Sequence, residues 1–160
     1  CPWATFGKLK HRGPNIVTSL ELDPAEMEKR NIHLQQKYAE IEEKEVRYEE
    51  IHCDDAEYLI VAFGSCARIA QKAMEEARAE GIKVGLLRPI TLWPFPSKAI
   101  AERSRQVKGI LTVELNAGQM VEDVRLAVEC KVPVEYFGRL GGIVPDPDEV
   151  VTALKEKIIK

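Results

Sequence analysis

The chain has 160 residues, of which 45% are hydrophobic and 31% charged, enough for one globular domain to bury most of a core without staples. Its 23 Lys+Arg stand against 26 Asp+Glu, a net charge of −3, so no bulk positive field is available to hold a nucleic-acid backbone. No window approaches the roughly 18–20 uninterrupted apolar residues of a membrane span, and Cys1-Pro2-Trp3 does not open a secretion signal; a cytoplasmic protein with neither nucleic-acid nor membrane partners is expected.

The first 22 residues read as a linker or loop, because Phe6 to Ser19 is rich in Gly, Lys, Pro and Asn and has no apolar period. A chain that starts at Cys1 rather than Met is expected to be a piece of something longer. Asp23-Pro24-Ala25-Glu26 then carries helix-start chemistry: a capping Asp, Pro at the first helical position and an acid where a capping box wants one. The spacing predicts a helix over 24–44. Its apolar positions Met27, Leu34, Tyr38 and Ile41 form one narrow stripe, and so thin a face needs another surface to lie on. Residues 46–51 alternate in the strand manner among acids and predict a charge-protected edge strand. Residues 23–52 thus form a helical arm with an edge strand. Charge marks the same region, since residues 21–57 hold 13 acids and 5 bases, net −8.

From residue 53 onward an α/β domain is predicted. The unbroken apolar run Tyr58 to Phe63 reads as a strand covered on both faces. A helix over 66–80, a strand over 82–87, the stiff turn Trp93-Pro94-Phe95-Pro96 and a helix capped by Ser97 and reaching about 107 follow. Next come a strand over 109–114, a helix over 118–129, a strand over 132–137, a Gly-rich loop over 138–142 and a terminal helix opened by the capping box Asp146-Pro147-Asp148-Glu149. Strands alternating with helices over short links require a mainly parallel open sheet between helix layers.

Cys1, Cys53, Cys66 and Cys130 are spaced too widely and irregularly for a paired zinc or iron–sulfur signature, and they are too few for a disulfide framework; no metal site is expected. Ligands of open parallel sheets collect at strand carboxyl ends. There the sequence offers Gly64, Ser65 and Cys66, then Arg88, then Glu114, Asn116, Gly118 and Gln119, then Arg139, as a possible ligand site or interface. Cys66 at a helix start could be a dipole-favoured thiolate, although a small buried residue where strand turns to helix is the preferred reading. Glu114 could serve as an acid or base, but a carboxylate there more often caps the next helix or pairs with an arginine such as Arg88. Arg88 and Arg139 could hold an anion or form interdomain ion pairs. Trp93 and Phe95 could cover the sheet or anchor an interface. The nucleophile-elbow, Gly-x-Gly-x-x-Gly and P-loop patterns are absent, and His11, His33 and His52 lie away from the strand ends, so no catalytic residue is assigned.

Three ordered segments carry a family likeness: Gly85 to Pro96, Val113 to Met120, and Gly138 to Gly142. The chain resembles the C-terminal domain of the alpha subunit of 2-oxoacid:ferredoxin oxidoreductases, most like the 2-oxoisovalerate (branched-chain) type. The resemblance implies a transketolase C-terminal-like domain, a three-layer open sheet of five strands in order 1-3-2-4-5 with the first antiparallel. It implies that the complete enzyme decarboxylates a 2-oxoacid using thiamine diphosphate and Mg, passes electrons through iron–sulfur clusters to ferredoxin, and transfers the acyl group to coenzyme A. It also implies that those groups are held elsewhere, none by this fragment. The partners would be the subunit's N-terminal domain and the sister subunits, and this fragment alone would be non-catalytic. Two alternatives stay open: a regulatory module binding a small molecule or nucleotide at the strand ends, and the C-terminal domain of another thiamine enzyme of the transketolase group.

Overall fold

The computed structural model describes residues 7, 10, 11, 13 and 20–159. Most of the predicted linker, and Cys1 with it, lies outside the described residues. The chain is made of two compact units, Cys1–Tyr38 and Ala39–Lys160, whose boundary falls inside the first helix.

That helix, α1 (Pro24–Lys44), has the predicted bounds. Asp23 Oδ1 accepts from the Ala25 and Glu26 backbone N–H groups at 2.8 and 3.2 Å, satisfying donors that the first turn otherwise leaves open. The Glu26 carboxylate meets Lys29 Nζ at 2.6 Å, so it is drawn along the helix rather than back to the cap. No residue of α1 is buried; Met27, Leu34 and Ile41 are half-buried and Tyr38 is exposed.

The second unit holds a five-stranded sheet in the order β1-β3-β2-β4-β5. Its strands are β1 (Tyr48–Ile51), β2 (Tyr58–Ala62), β3 (Val84–Pro89), β4 (Ile110–Glu114) and β5 (Val134–Gly138). β1 pairs antiparallel with β3, and every other pair is parallel. Side chains alternate between two cores, as strand geometry dictates. Ile60, Ala62, Leu86, Leu111 and Val113 pack under α2 (Gly64–Ala79) and α5 (Pro147–Leu154). Leu59, Val61, Leu87 and Ile110 pack under α3 (Ser97–Arg103) and α4 (Met120–Val128). Helices therefore cover both faces, the condition under which near-continuous apolar strands such as β2 and β4 are stable. The strand order and the antiparallel first strand match the expectation.

Several boundaries differ from the sequence reading: α2 opens at Gly64 rather than 66, β1 at Tyr48 rather than 46, and β3 and β5 run over Val84–Pro89 and Val134–Gly138 rather than 82–87 and 132–137. Pro96, not Ser97, stands at the N-cap of α3, and no side chain caps it; Ser97 N–H instead donates to Phe95 O at 2.8 Å. α3 stops at Arg103, short of residue 107, because the Ser104 hydroxyl turns back onto Ala101 O at 2.7 Å and the next two N–H groups bond three residues back. α4 begins at Met120, not 118, since the Gly118 N–H is taken by Asn116 Oδ1 at 2.7 Å. The capping box at Asp146 forms as predicted, and the chain's last turn, Lys155–Ile159, widens to π geometry.

Candidate functional site

The parallel pairing brings the carboxyl ends of β2, β4 and β5 side by side. At their centre is Glu114, the last residue of β4 and fully buried. Its Oε2 accepts from the Gln119 and Met120 N–H groups at 3.1 and 2.8 Å, and its Oε1 from Val121 N–H at 3.0 Å. The carboxylate thus occupies the positive end of the α4 dipole, where an anion is stabilised. Both oxygens are spent on backbone donors, so the capping alternative describes Glu114, and Arg88 is not its partner.

The loop beyond Glu114 is closed by its own groups. Asn116 Oδ1 holds Gly118, whose φ of +99° suits glycine, while the Asn116 carbonyl accepts from the Tyr136 hydroxyl. A Cβ on Gly138 would overlap that hydroxyl and lie 2.9 Å from Asn116 O, so the bare backbone there makes room for the Tyr136 ring. Tyr136 was not among the sequence candidates. Its only sequence signal is its place two residues before Gly138 on the same strand face. Burial, then the charges of Glu114 and Cys66, raise its phenol pKa above the ordinary value.

Cys66, in the first turn of α2, is buried. Burial, and then the nearby Glu114 charge, push its thiol pKa up rather than down, so the thiolate alternative does not hold. Gly64 and Ser65 are exposed beside it, and Gln119 is exposed on the α4 side.

The two arginines are engaged within residues 39–160. Arg88 Nη1 donates to Glu49 Oε2 at 3.1 Å, and the two residues are directly opposite in the β1–β3 ladder. Arg139 grips Glu149, the same carboxylate that accepts from the Asp146 N–H to complete the α5 capping box. Arg139, and then that backbone donor, hold the Glu149 carboxyl below its usual range. Within residues 39–160, then, Arg139 pairs inside the α/β domain and Arg88 ties β3 to the edge strand.

The aromatic turn divides its roles. Pro94 and Pro96 are buried and Phe95 packs on the α3–α4 core, whereas Trp93 is 55% exposed. The Thr91 hydroxyl closes the turn by donating to Pro94 O at 2.8 Å and also accepts from Arg47 N–H at 3.0 Å. Below it, Ala39, Glu42, Glu43, Val46, Tyr48, Trp93, Phe95 and Lys98 line a groove of about 770 Å³.

Among the described residues no group of three His, Cys, Asp or Glu could hold a metal ion, and Cys53, Cys66 and Cys130 are free thiols. An iron–sulfur cluster takes four thiolates, more than the three free thiols among the described residues supply. Among the described residues no helix is long and apolar enough to cross a membrane.

Residues 56–150 match the family described as pyruvate:ferredoxin oxidoreductase core domain II. The chain belongs to this family. It is 49% identical over 154 residues to the ketoisovalerate oxidoreductase subunit VorB of Methanothermobacter thermautotrophicus, a match that covers 96% of this chain and 43% of the relative. The chain thus spans less than half the length of that curated relative. Its fold is shared with a 2-oxoglutarate:ferredoxin oxidoreductase from Magnetococcus marinus, solved with 2-oxoglutarate, coenzyme A and succinyl-CoA bound. That match has a TM-score of 0.74 and 24% identity, covering 85% of this chain and 24% of that one. A split-gene transketolase, described as an inactive beta4 tetramer, shares the fold with a TM-score of 0.60 and 22% identity over 69% of this chain and 40% of its own. The resemblance read from Gly85 to Pro96, Val113 to Met120 and Gly138 to Gly142 therefore points to the family that the comparisons give.

Proposed function

We propose that the chain is the C-terminal, transketolase-like domain of the alpha subunit of a thiamine-diphosphate-dependent 2-oxoacid:ferredoxin oxidoreductase. The substrate of the whole enzyme is a branched-chain 2-oxoacid such as 2-oxoisovalerate, oxidatively decarboxylated to the acyl-CoA while ferredoxin is reduced. The high identity to the ketoisovalerate oxidoreductase subunit carries this reading. In this reading thiamine diphosphate, Mg, the iron–sulfur clusters and coenzyme A belong to other domains or subunits.

Within that enzyme this domain serves assembly. The buried carboxylate best placed to act as an acid or base, Glu114, is fully used as a helix cap, and Arg88 and Arg139 are already paired. We take residues 53–160 as the α/β domain and 23–52 as the arm and edge strand through which it meets the subunit's N-terminal domain and its sister subunits, in the cytoplasm.

The test is dye reduction. The subunit containing this chain, co-purified with its partners, should reduce a viologen when given 2-oxoisovalerate, coenzyme A and thiamine diphosphate, and the 160-residue chain alone should not. Dye reduction by the chain alone, or none by the assembled subunits, would overturn the proposal.

A further inference from the structure

β5 is the last strand of the sheet and pairs only with β4, so its other side is an open edge. The register decides which groups face that side. Ile110 N–H donates to Pro133 O and the Thr112 hydroxyl donates to Glu135 O, so the odd-numbered residues of this strand turn their backbone toward β4. Val134, Tyr136 and Gly138 therefore present their carbonyl and N–H groups outward, the row to which a further strand would bond. Two of these three carbonyls are already taken by side chains: Arg125 Nη2 donates to Val134 O at 3.1 Å, and Lys157 Nζ donates to Tyr136 O at 2.9 Å. The two cations come from opposite layers, Arg125 from α4 on one face of the sheet and Lys157 from the last turn, whose Ile158 and Ile159 pack on the core of the other face. That turn is held close, since a Cβ on Gly109 would lie 2.6 Å from Ile158 Cγ2. The nearby Lys131 and Lys155 pair with the carboxylates of Glu129 and Glu80, whereas Arg125 and Lys157 direct their donors to the strand edge.

We propose that Arg125 and Lys157 guard the β5 edge, occupying the acceptors through which a second copy of this chain would otherwise extend the sheet. The strand is suited to pair with itself. In an antiparallel two-fold pairing centred on Tyr136, Val134 would lie opposite Gly138 of the second copy and Glu135 opposite Phe137 of the second copy, so no like charges meet within the ladder. What opposes that pairing is the guard. An incoming N–H would have to displace a charge-assisted hydrogen bond at two of the three outward carbonyls, and the two-fold axis would bring both pairs of cations to one seam. The inference stands on the register of the sheet and is independent of which enzyme the domain serves.

The test is sedimentation velocity on the 160-residue chain, with amide hydrogen exchange read residue by residue on the same samples. The doubly substituted Arg125→Ala/Lys157→Ala protein should self-associate about tenfold more tightly than the unsubstituted chain, the scale of two freed acceptors. Exchange at Val134, Tyr136 and Gly138 should slow as its dimer forms. Each single substitution should act in the same direction by less, and serves in place of the pair if the double variant does not fold. Arg125→Lys/Lys157→Arg keeps a charged donor at both positions and should behave as the unsubstituted chain does. Three results would overturn the inference: alanine variants that associate no more tightly than the unsubstituted chain, association that leaves exchange at those three amides unchanged, or an unsubstituted chain that already dimerises with the same amides protected.

Discussion

The Arg103 guanidinium holds the Glu50 carboxylate in a two-point fork, Nε at 3.0 Å and Nη2 at 2.6 Å, joining α3 to the edge strand β1. Asp54 adds a third contact to the same Nη2 at 3.2 Å. Both partners of the fork are about three-quarters buried, so solvent screens it less than an ordinary surface pair. Arg103→Ala should lower stability by about 1–3 kcal/mol. Arg103→Lys, which keeps the charge and loses the fork, should recover only part of that. Urea unfolding read by circular dichroism checks both.

Glu114 satisfies three backbone donors that the start of α4 would otherwise bury unpaired. Glu114→Ala should cost about 3–5 kcal/mol, the range for removing one side of a buried charged hydrogen-bonded group. Glu114→Gln keeps the shape but presents an NH2 where one carboxylate oxygen accepted, so it should also destabilise. Thermal unfolding of the two variants gives the order. Loss of less than about 1 kcal/mol in either would show that α4 is capped some other way.

The sheet was legible because its signals are local. Tyr58 to Phe63 is apolar without a break, the run into Glu114 is interrupted only by Thr112, and Asp146 with Glu149 writes a helix start in four residues. The site was legible only as a set of positions. That Glu114 would be consumed as a cap depends on backbone donors five to seven residues onward, around a turn whose shape Asn116 and Gly118 set. Arg88 finds Glu49 across 39 residues only because β1 pairs antiparallel with β3, a register no local pattern fixes. Tyr136 gave no polar-motif signal at all, and its role appears only once β5 lies beside β4. Helix ends failed where a small polar side chain, Ser104, competed with the backbone.

Cys53 is buried between β1 and β3 with its Sγ 3.4 Å from Leu86 O, and burial, then the Glu50 charge, push its pKa from 9.0 to about 11. The folded state therefore keeps this proton at pH values where the unfolded chain has lost it. Stability from this group is full below pH 9 and falls as pH rises toward 11, by about 1.4 kcal/mol per pH unit within that window. Cys53→Ser should flatten the decline measured by urea unfolding between pH 8 and 11. The same burial predicts a labelling order: under iodoacetamide at pH 8, exposed Cys130 should react before Cys53 and Cys66, which should wait for unfolding.

Gly138 and Tyr136 are coupled through the space a side chain would fill. An alanine methyl at 138 would overlap the Tyr136 hydroxyl and crowd Asn116 O, so the ring would have to leave the carbonyl it donates to. Gly138→Ala should therefore cost about 1–3 kcal/mol, the usual penalty for overpacking. Tyr136→Phe alone should cost about 1 kcal/mol by leaving that carbonyl without its donor. In the double variant the overlap with the hydroxyl is gone and only the ring's Cζ and Asn116 O still crowd the methyl, so the two losses should sum to more than the measured total. Urea midpoints of the four proteins close the cycle. Strict additivity would mean that the methyl is refused by Asn116 O alone, independent of the tyrosine hydroxyl.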